Sequence, residues 1–171
     1  MPPSTPHLLV VHHSPTPTLT ALRDRVVAGA QDPEVTGVEV VVRNALEVTA
    51  DDLLAASGYV LGTSANFGYM SGALKHMFDS TFLAVGGALD DSGAAGDAAG
   101  STAGSTAGRP FGLYVHGRYD VTGAVRSVLA ITGALGWKQG YTTLEVLGDP
   151  GADDLEAAYV LGGTIAALSA G

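Results

Sequence analysis

The chain is expected to fold as a doubly wound α/β domain, with five parallel strands in the order 2-1-3-4-5 and helices on both faces in three layers. Three observations predict this. Strand-like and helix-like segments alternate through most of residues 1–171, read as one domain. Several strand-like runs, such as Leu8-Leu9-Val10-Val11 and Tyr59-Val60-Leu61, are almost unbroken in apolar residues, as strands covered on both faces must be. Right-handed crossovers then leave few topologies. In sheets of this kind ligands bind beyond the carboxyl ends of the strands, at the switch point between strands one and three.

Each element follows from a local pattern. HLLVVHH (7–13) is a buried strand ending in a turn. In TLTALRDRVVAGA, Leu19, Leu22, Val26 and Val27 fall on one helical face. GVEVVVRN is the second strand, and TADDLLAAS is a short helix capped by Thr49, with Asp51 and Asp52 at its positive end. GYVLGTS is strand three. Ala73, Leu74, Met77 and Phe78 then make a helical stripe. RPFGLYVHG is strand four, and the next helix turns Val125, Val128, Leu129 and Thr132 inward. WKQGYTTLEVLG is strand five, and the last helix is weakened at Gly162 and Gly163.

One stretch stands apart. Residues 86–108 are small and polar, with GSTA twice in tandem, and read as a flexible low-complexity loop that supplies no core. A loop of this length can be a spacer, a lid or a homodimer contact.

Composition narrows the function. With 46% hydrophobic residues the chain can bury a sizeable core. Acids outnumber bases 17 to 8, a net charge of -9, which opposes nucleic acid and anionic membranes as partners. With no cysteine, thiolate metal sites, iron–sulfur clusters and cysteine nucleophiles are excluded. The opening residues lack a basic leader and a long apolar run, so a cytoplasmic location without membrane insertion is expected. His12 and His13 point to opposite faces of their strand, so neither a shared ion nor a metal site is expected. Neither a G-x-G-x-x-G turn nor a G-x-S-x-G elbow is present, and the first strand does not end in the acids of a phosphorylation receiver.

Three strand-to-helix turns should meet at the switch point. The first, HHSPTPTLT, offers the hydroxyls of Ser14, Thr16, Thr18 and Thr20, with Leu19 among the amides of a helix start that favours an anion. The competing reading is a Pro-rich turn with an ordinary Thr cap. The second carries Ser64, Ala65, Asn66, Phe67, Gly68 and Tyr69. Its aromatics either receive a flat apolar ring or fold under into the core. The third, beginning His116, Gly117, Arg118, Tyr119, is either a second wall of the site or a solvated turn in which Asp120 or Thr122 caps the next helix.

The segment GTSANFGYMSGALKHMFD (62–79) resembles the flavin loop of the flavodoxin-like FMN proteins. It is most similar to the NADPH-dependent FMN reductases and the tryptophan-repressor-binding-protein type of NAD(P)H:quinone oxidoreductase. The resemblance lies in Phe67-Gly68, Ser71-Gly72, Lys75 and Asp79, and the element order extends it over nearly all residues outside the low-complexity loop. It implies that Ser14, Thr16, Thr18 and Leu19 hold an FMN phosphate, that Ala65 to Gly68 hold the isoalloxazine, and that His116 to Tyr119 form a third flavin-facing loop. The chain departs from the family at Pro17, where Gly is usual, at Ser64-Ala65-Asn66, and in HGRYD, which replaces a Gly-rich loop.

The function expected from this resemblance is an FMN-binding oxidoreductase passing electrons from NAD(P)H to a quinone or similar small acceptor. The alternatives are a non-enzymatic carrier that docks a redox partner protein, and a flavodoxin-shaped interaction module without flavin. No catalytic acid or base is identified.

Overall fold

The computed structural model describes residues 4–89, 92 and 106–171. In chain order the elements are β1 (His7–His12), α1 (Pro17–Ala30), β2 (Glu39–Asn44), α2 (Ala50–Ala55), β3 (Gly58–Asn66), β4 (Tyr69–Met70), α3 (Gly72–Thr81), β5 (Pro110–Gly117), α4 (Thr122–Ala134), β6 (Lys138–Gln139), β7 (Leu144–Leu147) and α5 (Ala152–Ser169). The sheet order is β2-β1-β3-β5, continued beyond β5 by β6 and β7, and every pair except β3–β4 is parallel. This is the 2-1-3-4-5 order expected from the sequence, with two differences in the strand count.

The first difference is that the fifth strand is broken. Gln139 pairs with Phe111 and Leu144 with Tyr114, so the outer chain advances from 139 to 144 while β5 advances only from 111 to 114. Two surplus residues must bulge out of the ladder. The break begins at Gly140, where a Cβ would lie 2.6 Å from Leu168 Cδ1 on α5. The second difference is that the flavin-loop segment is a hairpin instead of an open loop. β3 continues to Asn66, turns at Phe67-Gly68 and returns as β4.

Strand alternation sorts the core into two layers. Leu8, Val10, Val60 and Tyr114 face α1 and α5, while Leu9, Val11, Leu61, Leu113 and Val115 face α3 and α4. Gly162 does not interrupt α5, which runs unbroken from Ala152 to Ser169. It serves close packing instead. A Cβ at Gly162 would lie 1.9 Å from the Val26 carbonyl oxygen of α1, and a Cβ at Gly29 would meet Tyr159 O at the same distance. The two helices are also joined by the Tyr159 hydroxyl, which donates to Asp32, and by the Arg25 guanidinium 4.7 Å above the Tyr159 ring.

The amino end of the sheet is closed by a buried polar–aromatic cluster. Trp137 stacks on Tyr59 with ring centroids 4.0 Å apart, and its Nε1 donates to Thr106 Oγ1 at 2.7 Å. Thr106 in turn donates to Val85 O. Arg109 Nη1 donates to the Leu53, Leu54 and Ala56 carbonyls at the end of α2, replacing a glycine cap. The low-complexity loop expected at 86–108 lies largely outside the described residues. Its Thr106, however, is fully buried, so the stretch does contribute to the core at that point. Among the described residues no helix is long and apolar enough to cross a membrane.

Two glycine substitutions test the α1–α5 contact. Gly162→Ala should lower stability by about 1–3 kcal/mol, because the atom it meets is backbone and cannot step aside. Gly133→Ala in α4, where a Cβ meets nothing within 4 Å, should raise stability by about 0.5–1 kcal/mol through helix propensity. Denaturant unfolding of both variants checks the pair.

Candidate functional site

β1, β3 and β5 are parallel neighbours, so the three turns that follow them open along one edge of the sheet. His12, Gly62 and Tyr114 form one row of the ladder there, on the face covered by α1 and α5. Gly62 is the key position in that row. A Cβ on it would lie 2.0 Å from Tyr114 Cζ and 2.1 Å from the Tyr114 hydroxyl, so the phenol ring lies directly across the bare backbone of β3.

The first turn lies above this row. Thr16 is the N-cap of α1, and its Oγ1 accepts from the Leu19 amide at 3.3 Å. That bond uses an oxygen lone pair and leaves the Thr16 hydroxyl proton free to donate. Pro17 occupies the first helical position, where a missing N–H removes nothing the helix needs. The amide of Thr18 in the first turn has no partner within a helix start. Thr16 is exposed, Ser14, Thr18 and Thr20 are half-buried, and Leu19 is buried as a core residue. The turn is thus a Pro-containing start with an ordinary Thr cap, and that cap also presents hydroxyls and an amide to solvent. Ser14 Oγ is 2.9 Å from His12 Nδ1. Burial, then the Arg23 charge, pushes the His12 pKa down, so its ring favours the neutral form.

The second turn settles the question of its aromatics. Phe67 is wholly exposed, at 108% of its reference area, and sits at the hairpin tip with φ 52°. Gly68 beside it has φ 76°. Positive φ at both central residues is what a two-residue type I′ turn requires, but Asn or Asp is the usual first residue and Phe is strained there. Tyr69, 43% exposed, lines a groove of about 790 Å³ between α3 and α4, with Phe78, Leu83 and Arg126 among its walls. Neither aromatic folds into the core. Ser64 and Ala65 are half-buried below the tip, and Asn66 is exposed.

The third turn is packed against the second. A Cβ at Gly117 would come 2.8 Å from Val121 and 3.2 Å from the Ala65 Cβ, and one at Gly123 would come 1.9 Å from the Gly68 carbonyl oxygen. The hairpin tip thus rests on the first turn of α4. His116 Nε2 donates to Gly148 O at 2.8 Å, tying this turn to the end of β7. Asp120 Oδ1 accepts from the Thr122 amide at the start of α4, which holds its carboxyl below the usual range. Arg118 and Tyr119 are left exposed, Tyr119 at 86%.

Among the described residues, three buried side-chain atoms lack a hydrogen-bond partner: His13 Nδ1, Ser64 Oγ and the Tyr114 hydroxyl. His13 directly follows β1, Ser64 lies near the end of β3, and Tyr114 of β5 is level with His12, the last residue of β1. Such atoms cost free energy unless something else satisfies them. Burial pushes the Tyr114 pKa well above that of a free phenol, so it remains a donor. The sequence places Tyr114 in the core strand RPFGLYVHG and gives it no further role. The available signal was a lone phenol in an otherwise apolar run, facing a glycine in the neighbouring strand.

Phe67→Asn should stabilise the protein by about 1 kcal/mol, because it relieves positive-φ strain at an exposed site and creates an Asn-Gly turn. An unchanged or lower denaturation midpoint would show that Phe67 is not held under strain.

No family model matches the chain, and no curated protein matches it in sequence. Solved structures do match. A flavodoxin from the domain Archaea superposes with TM-score 0.72 at 18% identity, covering 94% of this chain and 96% of that one. The flavodoxin, WrbA-like protein from Agrobacterium tumefaciens gives TM-score 0.67 at 16% identity, over 96% and 97%. The flavodiiron protein from Giardia intestinalis gives 0.71 at 14%, over 95% of this chain but 36% of that one. The fold is flavodoxin-like.

Proposed function

We propose that the protein binds FMN at this edge and acts as an oxidoreductase, passing electrons from NAD(P)H to a quinone or similar small acceptor. The observation that carries the reading is Phe67, an exposed aromatic at positive φ on the rim of the strand-end crevice. An apolar ring in that position is a cost to the free protein and an asset once a flat ring stacks on it. The unpartnered atoms of His13, Ser64 and Tyr114 support the same reading, as does the flavodoxin-like fold.

The residues fit the group in three parts. Ser14, Thr16, Thr18, Leu19 and Thr20 would hold the phosphate through hydroxyls, amides and the positive end of α1. Ser64 to Gly68 would hold the ring from one side, with Phe67 against its face. Gly117, Arg118 and Tyr119 would close the other side, while His116 keeps that loop in place through Gly148. Tyr69 contributes to the neighbouring groove and is a second platform only at its edge. FMN, when bound, supplies the hydride and single-electron chemistry. The chain's part is to orient it, exclude water from one face and leave the other open to a reductant. The excess of acids over bases, 17 to 8, would oppose a gain of negative charge at the site and lower its potential.

A second reading is favoured by that same charge. An acidic surface suits a non-enzymatic carrier that docks basic redox proteins. Anaerobic mixing of the FMN-loaded protein with NADPH and with NADH separates the two. Rapid bleaching of the flavin band is expected for the reductase, and a stable yellow colour would leave the carrier.

Binding itself is tested by fluorescence titration of FMN into apoprotein, and absence of quenching would overturn both readings. Thr18→Ala should weaken FMN by about 1 kcal/mol, roughly fivefold, through loss of one donor to the phosphate. Phe67→Asn should weaken FMN and riboflavin alike, by about 0.5–1.5 kcal/mol, because it removes stacking and leaves the phosphate contacts intact.

A further inference from the structure

We infer that Tyr114 is a positioning residue for a phosphate monoester held at the start of α1, and that it acts through Ser14. The inference rests on the flavin-phosphate reading above. The Tyr114 hydroxyl is fully enclosed and makes no hydrogen bond of regular length and angle. A phenylalanine would fill the same space without that cost, so packing alone gives no reason for the oxygen. Its position is also specific. The ring reaches across Gly62, which pairs with His12 in the ladder, so the hydroxyl lies beneath the turn that carries Ser14. Ser14 is the first hydroxyl of the phosphate turn, and it is engaged with His12 Nδ1 at 2.9 Å.

These groups form an ordered set of donors. Tyr114 can only donate to Ser14 Oγ usefully, because its proton is held tightly in this buried setting. Once Ser14 accepts that bond, its own proton is directed outward to a phosphate oxygen and away from His12. His12, kept neutral by burial and by Arg23, does not compete as a cation. The arrangement needs the glycine at 62, since any side chain there would block the phenol from the turn.

The test compares wild type, Tyr114→Phe, Ser14→Ala and the double variant, each titrated with FMN and with riboflavin, which lacks the phosphate. Tyr114→Phe should weaken FMN about 3- to 10-fold, the factor of one hydrogen bond, and leave riboflavin unchanged. In the Ser14→Ala background the same change should have no further effect on FMN. The melting temperature of the free Tyr114→Phe protein should stay level or rise, because an unsatisfied hydroxyl has been removed. Four results would overturn the inference: unchanged FMN affinity in Tyr114→Phe, equal weakening of FMN and riboflavin, an undiminished effect without Ser14, or a fall in the melting temperature of the free protein. Wild-type protein that binds no FMN would overturn the parent reading and this inference together, whereas wild-type binding with an indifferent Tyr114→Phe would overturn only the inference.

Discussion

The contact between the Tyr114 ring and the bare backbone of Gly62 is the constraint on which the site depends. It places a large polar-tipped side chain of β5 across β3 and under the turn that follows β1. Three strands that are distant in sequence are thereby coupled at the row where β1 ends. The same face is sealed by α1 and α5, whose glycines at 29 and 162 let the two backbones approach to contact. A tight pair of helices thus braces this face of the sheet below the edge at which the three turns open.

The local rules of stability are followed through most of the chain and broken along this edge. Capping at Thr49 and Ser71 satisfies the starts of α2 and α3. The buried Trp137, Thr106, Tyr59 and Arg109 cluster has its polar atoms paired. At the opposite end of the strands the pattern reverses. Phe67 takes a backbone conformation suited to Asn or Gly, and three buried polar atoms stay without partners. Departures of this kind are the physical ground for proposing that this edge binds a ligand.

Pro17 departs from the resembled family but is tolerated for a physical reason. At the first position of α1 its missing N–H removes no helical bond, and its fixed φ favours the helix start. The Thr16 cap is likewise compatible with an anion, since capping uses the oxygen and leaves the hydroxyl proton. The third loop, HGRYD in place of a Gly-rich run, is shaped by Asp120 and His116, each bonded to backbone, and Arg118 and Tyr119 remain exposed.

Strand order and the two-faced core could be read from the chain alone, and with them the edge of the sheet along which the three turns open. Val and Leu runs mark strands buried on both faces, helical stripes such as Ala73, Leu74, Met77 and Phe78 mark the covering layers, and crossover handedness does the rest. Those features depend on short-range periodicity, which one sequence displays fully. Other features depend on which residues meet across the sheet, and no local pattern encodes that. The register setting Gly62 beside Tyr114, the two surplus residues between β6 and β7, the hairpin that lifts Phe67 into solvent and the burial of Thr106 are of this second kind. All but the hairpin were decided by a contact between segments far apart in the chain, which only the folded sheet brings within reach; the hairpin is local, but Phe-Gly is not a turn pair that announces it.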